Sequence, residues 1–176
     1  MRNWYSMQAL AAPNAAEISI YDEIGMWGVT AKQFISDLKA LGDVKDITVS
    51  INSLGGSVFD GLTIYNALRA SGANVTVKIM GIAASIASII AMAGKKIVMP
   101  ENSFMMIHNP LNVIYGNADD MREMADILDK VGSSLVATYV ARTGKSEEEV
   151  KALMDAETYM TAAEAKELGF ADEVIP

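Results

Sequence analysis

The sequence predicts an α/β fold in which strands alternate with helices through right-handed ββα or βαβ crossovers. Three observations predict it. The spacing of apolar residues switches repeatedly between a period of two and a period near 3.6. The switches fall at turn-forming residues, among them Asn52–Ser57, Gly72 and Gly81. The chain has 176 residues, 51% of them hydrophobic, enough to bury roughly 70% of its unfolded surface. No repeat, linker or low-complexity tract divides it. Residues 17–176 are therefore expected to form one domain, behind an N-terminal extension, residues 1–16, expected to be flexible.

Glu17–Ile24 alternates apolar and polar residues and is expected as the first strand. Thr30–Leu41 places Phe34, Ile35, Leu38 and Leu41 on one helical face, and Thr30 with Gln33 fits a capping box. Ile47–Ile51 reads as a second strand, broken at Asn52–Ser57, and Phe59–Ala70 as a helix ending before Gly72. Asn74–Met80 is expected as a third strand that turns at Gly81 into a small-residue helix, Ser85–Ala93. Two short β stretches follow, Lys96–Met99 and Phe104–His108, around a Pro100–Ser103 turn. Beyond the loop Pro110–Gly116 lies a long helix, Ala118–Arg142, with Asn117 as its cap, acids in its first turn and Arg142 in its last. Ser146–Glu149 and Thr161–Glu164 are capping boxes that open two short helices, the second stopped by Gly169, and Asp172–Ile175 reads as a last strand.

Charge and composition narrow the function. The net charge is −8 and no stretch concentrates basic residues, which argues against a nucleic-acid partner. There is no cysteine, so disulfides, thiolate zinc sites and a cysteine nucleophile are excluded, and the cell interior, the cytoplasm, is the expected compartment. Asn3, Ser6 and Gln8 interrupt any apolar core that a secretion signal would need. The longest apolar run, Ile79–Gly94, falls short of the roughly 20 residues of a spanning helix and implies a buried segment, not a membrane anchor. With only 20% charged residues, buried subunit contacts are expected.

Three segments carry candidate chemistry. In Gly81-Ile-Ala-Ala-Ser85 a serine follows a strand at the first turn of a helix, flanked by alanines that leave it open, which suits a nucleophile. The same small residues would equally let a buried helix pack closely. Met105-Met-Ile-His108-Asn-Pro110 ends an apolar strand in the protein's only histidine, the side chain best suited to take a proton from a serine near neutral pH. An isolated histidine is also commonly a hydrogen-bonded residue at a core rim. No second His or Cys exists to share a metal, so no metal and no cofactor is expected. The turn Asn52-Ser-Leu-Gly-Gly56-Ser57 could aim a main-chain N–H at an oxyanion or pair with an extended peptide, or be an ordinary turn. It lacks the Gly-Lys-Ser/Thr ending of a phosphate-binding loop.

Taken together, Ile-Asn-Ser-Leu-Gly-Gly-Ser-Val, Gly-Ile-Ala-Ala-Ser and Met-Ile-His-Asn-Pro-Leu occur once each and in order, and they resemble the signatures of the Clp protease proteolytic subunit family (ClpP-like, peptidase S14). The likeness runs from about Glu17 to Val174 and is nearest to phage and prophage members. It implies a ClpP/crotonase-like α/β fold of repeated β-β-α turns with a protruding long helix. It also implies a serine endopeptidase with Ser85 as nucleophile, His108 as general base, and the N–H groups of Gly56 and Ile86 as oxyanion hole. Counting back from Thr161-Ala-Ala-Glu-Ala165, the third catalytic residue falls on Glu157, where the family has aspartate, with Asp155 as the rival position. Ala156 stands where many members carry an inter-ring arginine, and Leu54 replaces the usual proline of the glycine loop.

The resemblance further implies an extended polypeptide substrate lying between Gly55, Ser57 and Val58 on one side and Pro110 and Leu111 on the other, with little side-chain specificity. It implies homo-oligomeric rings of seven, stacked as a tetradecamer, joined by the helix that carries Met121, Met124, Ile127, Leu128, Val131 and Leu135. That stripe could instead be the core of one subunit. An ATP-driven AAA+ unfoldase partner is implied by the family, but Met1–Ala16 holds no recognisable pore-loop segment, which counts against it and towards phage or prophage head maturation. Three rivals stay open: a crotonase-type acyl-CoA enzyme, a catalytically idle ClpP-like assembly protein, and a Ser/Lys peptidase using Lys78, Lys95 or Lys96.

Overall fold

The computed structural model describes residues 5–10, 14–25 and 30–176. Among these the elements run β1 (Tyr5–Ala9), β2 (Ala15–Tyr21), α1 (Ala31–Ala40), β3 (Asp46–Ser53), α2 (Val58–Ala70), β4 (Asn74–Ala84), α3 (Ile86–Ala91), β5 (Lys96–Pro100), β6 (Phe104–Ile107), α4 (Ala118–Thr143), α5 (Glu147–Asp155), β7 (Thr158–Thr161), α6 (Ala162–Glu167) and β8 (Glu173–Ile175). The fold is α/β, as the periodicity predicts. One sheet runs β1-β2-β3-β4-β5-β8, with β6 branching from β4 and β7 from β6. The pairs from β2 through β5 to β8 are parallel, which requires the crossovers that the helices provide. Ile18, Ile20, Ile47, Val49, Ile51, Val75, Val77 and Ile79 are buried along its central strands.

Two strands depart from the sequence reading in ways that matter for the site. The strand expected to turn at Gly81 continues to Ala84 because it changes partner. Thr76–Lys78 pair with Lys96–Val98 of β5, and Ile82–Ala84 pair with Phe104–Met106 of β6. Gly81 permits this: a Cβ there would lie 2.5 Å from Asn52 Oδ1, the oxygen that accepts the Ile82 N–H at 3.3 Å. The second departure is at the N-terminus, where residues 1–16 were expected to be a flexible extension. Tyr5–Ala9 instead pairs antiparallel with Ala16–Ile20. Tyr5 is buried edge-on against Phe34 at 5.0 Å, and its hydroxyl donates to Asp37 Oδ2 at 2.5 Å. Burial and the Asp37 carboxylate together push the ionisation of this phenol up.

The helices bear out the capping signals with one exception. Ser146 with Glu149 and Thr161 with Glu164 form complete capping boxes, and Asn117 with Asp120 forms a third. At Thr30 only half of the box exists. The Thr30 hydroxyl accepts the Gln33 N–H, while the Gln33 amide reaches forward to Asp37 at 2.7 Å. All six residues of α3 are buried, which accounts for the long apolar run through this segment. No helix among the described residues is long and apolar enough to cross a membrane. In α4 only Leu135, Val136 and Tyr139 are buried, whereas Met121 and Ile127, nearer its start, are 51% and 38% exposed. The apolar stripe is therefore core only over the last turns, and the first half of the helix stands clear.

Candidate active site

The branching of β4 brings Ser85 and His108 together. β4 and β6 are parallel, with Ala84 opposite Met106, so both strands deliver their next residues at the same carboxyl ends. The Ser85 N–H donates to Met106 O at 3.0 Å, and His108 Nε2 lies 2.7 Å from Ser85 Oγ. At that distance the hydroxyl donates to Nε2 in the tautomer whose proton is on Nδ1.

Ser85 sits at φ 54, ψ −129, a conformation that L residues rarely adopt and that costs about 1–3 kcal/mol. Several contacts hold it there. Its carbonyl accepts the Ser88 N–H at 3.0 Å and the Ser88 hydroxyl at 2.6 Å. Ser88 Oγ is in turn 2.7 Å from the Tyr139 hydroxyl, which reaches in from α4. Burial pushes the ionisation of Tyr139 well up.

The glycine loop approaches from the other side. A Cβ on Gly55 would lie 2.7 Å from Ser85 Cβ and 2.9 Å from Ala84 O, so only glycine lets the loop come this close. Ile24 N–H donates to Gly55 O at 2.8 Å and Ser57 N–H to Ile24 O at 2.9 Å, a parallel bridge centred on Gly56. These two main-chain groups of the segment expected to bind substrate are thus engaged internally. The bridge leaves the N–H and C=O of Gly56 itself directed away from Ile24. Ser53 Oγ pins the loop, donating to Asp22 O at 2.6 Å and accepting the Gly55 N–H at 3.1 Å. Ser57 caps α2, accepting the Asp60 N–H, and Val58 opens that helix. Ile86, directly after Ser85, is the first residue of α3.

A family model described as Clp protease matches residues 3–176. The chain belongs to the Clp protease family. Two proteins from strains of Bacteroides fragilis, each named ATP-dependent Clp protease proteolytic subunit, are 39% identical to it over 134 residues. One of the same name from Porphyromonas gingivalis is 37% identical over 134 residues. These matches cover 74% of this chain and 64%, 60% and 60% of the relatives, so the chain spans less than two thirds of their length. The branched α/β sheet and the helix that stands clear are those expected of a Clp protease fold.

Of the three residues that the family resemblance leads one to expect at the site, Glu157 is the one the structure does not join to the others. Glu157 directly precedes β7, whose Thr158 pairs with Ile107, so its backbone reaches the end of the sheet where His108 emerges. Its side chain makes no hydrogen bond to the imidazole. Residue 157 has φ 47, a backbone turn whose N–H donates to Met154 O at 3.1 Å. Asp155, the rival, accepts instead from the Asn109 amide at 2.7 Å. Asn109, Pro110 and Asp155 line a cavity of about 420 Å³ together with Leu128, Gly132, Val136 and Lys151, and neither Ser85 nor His108 is part of its lining. A larger cavity of about 660 Å³, between α1 and α2 around Leu38, Val44 and Ala67, holds none of these residues, so chemistry and not volume marks the site. The sequence assigns no role at the site to Ser88, Tyr139 or Asn109. Ser88 read there as one more small residue of a packed helix, and no local pattern ties Tyr139 to it.

Proposed function

We propose that the chain is a serine endopeptidase that cleaves extended or unfolded polypeptides through an acyl-enzyme. The observation that carries this reading is the 2.7 Å approach of His108 Nε2 to Ser85 Oγ. Ser85 attacks the peptide carbonyl as His108 takes its proton. The N–H groups of Gly56 and Ile86 receive the oxyanion, each such donor being worth about 10²- to 10³-fold in rate. His108 then gives its proton to the leaving amine, and water, activated by the same imidazole, releases the acyl group. Glu157 is assigned to orient the imidazole, with its carboxylate turning towards Nδ1 when substrate binds. Gly55, Ser57 and Val58 line one side of the extended substrate, and Pro110 and Leu111 line the other.

The same reading makes the active form a ring of copies of this chain, heptameric and stackable as a tetradecamer. Large apolar side chains with nothing over them support it: Leu111, Val113, Tyr115, Met121 and Ile127 are all exposed on the loop before α4 and the first half of that helix. We place such a peptidase in the cytoplasm, in accord with a chain free of cysteine. A role in phage or prophage head maturation rests on the resemblance of the motifs to those members.

A fluorophosphonate tests the chemistry together with a fluorogenic peptide and sedimentation on the same sample. Labelling at Ser85, turnover lost in Ser85→Ala and His108→Ala, and a ring-sized particle are expected. A wild-type particle that neither labels nor turns over would favour the idle assembly protein, for which the absence of a Glu157–His108 hydrogen bond is the supporting observation. Labelling retained in His108→Ala would favour a Ser/Lys peptidase.

A further inference from the structure

The deepest-buried polar link in the site runs away from the substrate, from Ser85 through Ser88 to Tyr139 on α4. Resting on the serine-peptidase reading above, we propose that Ser88 and Tyr139 are positioning residues: the Tyr139 hydroxyl holds the Ser88 hydroxyl, which holds the Ser85 carbonyl, and this link aims the Ile86 N–H at the oxyanion.

The peptide group is the lever. In a planar trans peptide the C=O and the following N–H point in opposite directions, so whatever fixes the Ser85 carbonyl also fixes the Ile86 N–H. The torsion that swings this plane is ψ of Ser85, and Ser85 lies in a sparsely populated region at φ 54, ψ −129. Any relaxation of that strain through ψ would rotate the Ile86 N–H off its target. Two hydrogen bonds oppose the rotation, both from residue 88: the N–H at 3.0 Å and the hydroxyl at 2.6 Å.

The direction of the remaining bond then follows. The Ser88 hydroxyl has a single proton, committed to the Ser85 carbonyl, so the 2.7 Å contact with Tyr139 must be donated by the phenol. Only a neutral phenol has that proton to give, and burial keeps Tyr139 neutral. Ser88 is 0% and Tyr139 1% exposed, so no solvent molecule takes over if either hydroxyl is removed. The Tyr139 ring is itself fixed, packed edge-on against Phe170 at 5.6 Å. The link therefore couples the buried end of α4, the helix whose other end stands clear of the subunit, to the oxyanion donor.

The test compares wild type, Ser88→Ala, Tyr139→Phe and the double variant by Ser85 labelling, by kcat and KM on a fluorogenic peptide, and by thermal unfolding. Ser88→Ala is expected to lower kcat about tenfold with KM within about twofold, because the donor acts on the transition state. Tyr139→Phe, which keeps the ring packing, is expected to lower kcat about threefold. The double variant should match Ser88→Ala alone and not the product of the two, since both act through one link. Ser88→Ala with kcat within twofold of wild type, or a double variant at the product of the singles, overturns the proposal. If Ser88→Ala does not fold, Tyr139→Phe decides, and an unchanged kcat there overturns it. A wild type that neither labels nor hydrolyses overturns the peptidase reading itself, and the link with it.

Discussion

Gly55→Ala is expected to damage both stability and the reactivity of Ser85, through two terms that can be separated. Gly55 has φ +103, where an alanine is strained whatever the space around it, at a cost of about 1–3 kcal/mol. Its Cβ would also lie 2.7 Å from Ser85 Cβ and 2.9 Å from Ala84 O, well inside the 3.4 Å at which ordinary contact begins. Neither atom is the far end of a flexible side chain, so relief requires backbone movement costing about 1–3 kcal/mol more. Gly42→Ala supplies the control, with φ +72 and no atom within 4 Å, so it carries the strain alone. In a chain of this size 1 kcal/mol shifts the midpoint by about 2–4 °C, which puts Gly55→Ala roughly 2–12 °C below Gly42→Ala. Thermal unfolding at one fixed protein concentration reads this difference, since association would otherwise shift the midpoints. The fluorophosphonate labelling rate at Ser85 should fall more than about tenfold in Gly55→Ala, because any relief displaces Ser85 from the approach to His108 on which the proposed chemistry depends. Coincident melting of the two variants, with wild-type labelling in Gly55→Ala, would refute the close approach of loop and serine.

Two further perturbations probe the frame. Tyr5→Phe removes the donor to Asp37 while keeping the contact with Phe34, and should cost about 1–2 kcal/mol in denaturant unfolding; no change would show that β1 adds nothing to stability through this bond. Glu164 is held below its ordinary 4.5, first by the Thr161 backbone N–H and then by its hydroxyl. A depressed folded value means stability that is present above 4.5 and lost as pH falls through the folded value. Glu164→Gln should therefore be less stable than wild type at neutral pH, with the gap closing in acid. A gap that is constant with pH would place the effect elsewhere.

The parts of the fold legible in the sequence are those fixed by local chemistry. Ser146, Thr161 and Asn117 announce their helices because a cap satisfies N–H groups of its own first turn. The alternation of Ile18, Ile20, Ile47, Val49 and Ile51 announces strands because each lies in a sheet with buried faces. What escaped depends on distant partners. Tyr5 is the one buried residue of β1, and β7 is four residues long with exposed Tyr159 and Thr161, so neither carries a periodic signal. The continuation of β4 past Gly81 depends on β6, which the chain reaches only after α3 and β5. Ser85 and His108 could be named from their motifs, but their 2.7 Å separation is a consequence of that same β4–β6 pairing.

The pairing also explains why the Ser85–His108 contact is made without Glu157. Ser85 is tied to β6 by its own N–H on Met106 O, and His108 follows Ile107 on the same strand, so serine and histidine share one backbone frame. Glu157 belongs to a second frame, the start of β7, which meets the first only through an antiparallel edge pairing that ends at Thr158–Ile107. A glutamate has one more methylene than the aspartate that the family resemblance leads one to expect, and residue 157 sits on a backbone turned to φ 47. The stretch after His108 is meanwhile tied to the end of α5 by the Asn109–Asp155 bond, which needs no contact with the ring. Backbone pairing thus brings the imidazole to Ser85 without any bond from residue 157. On the peptidase reading proposed above, glutamate in place of aspartate leaves the Ser85–His108 contact unaltered, because residue 157 lies outside the β4–β6 pairing that makes it.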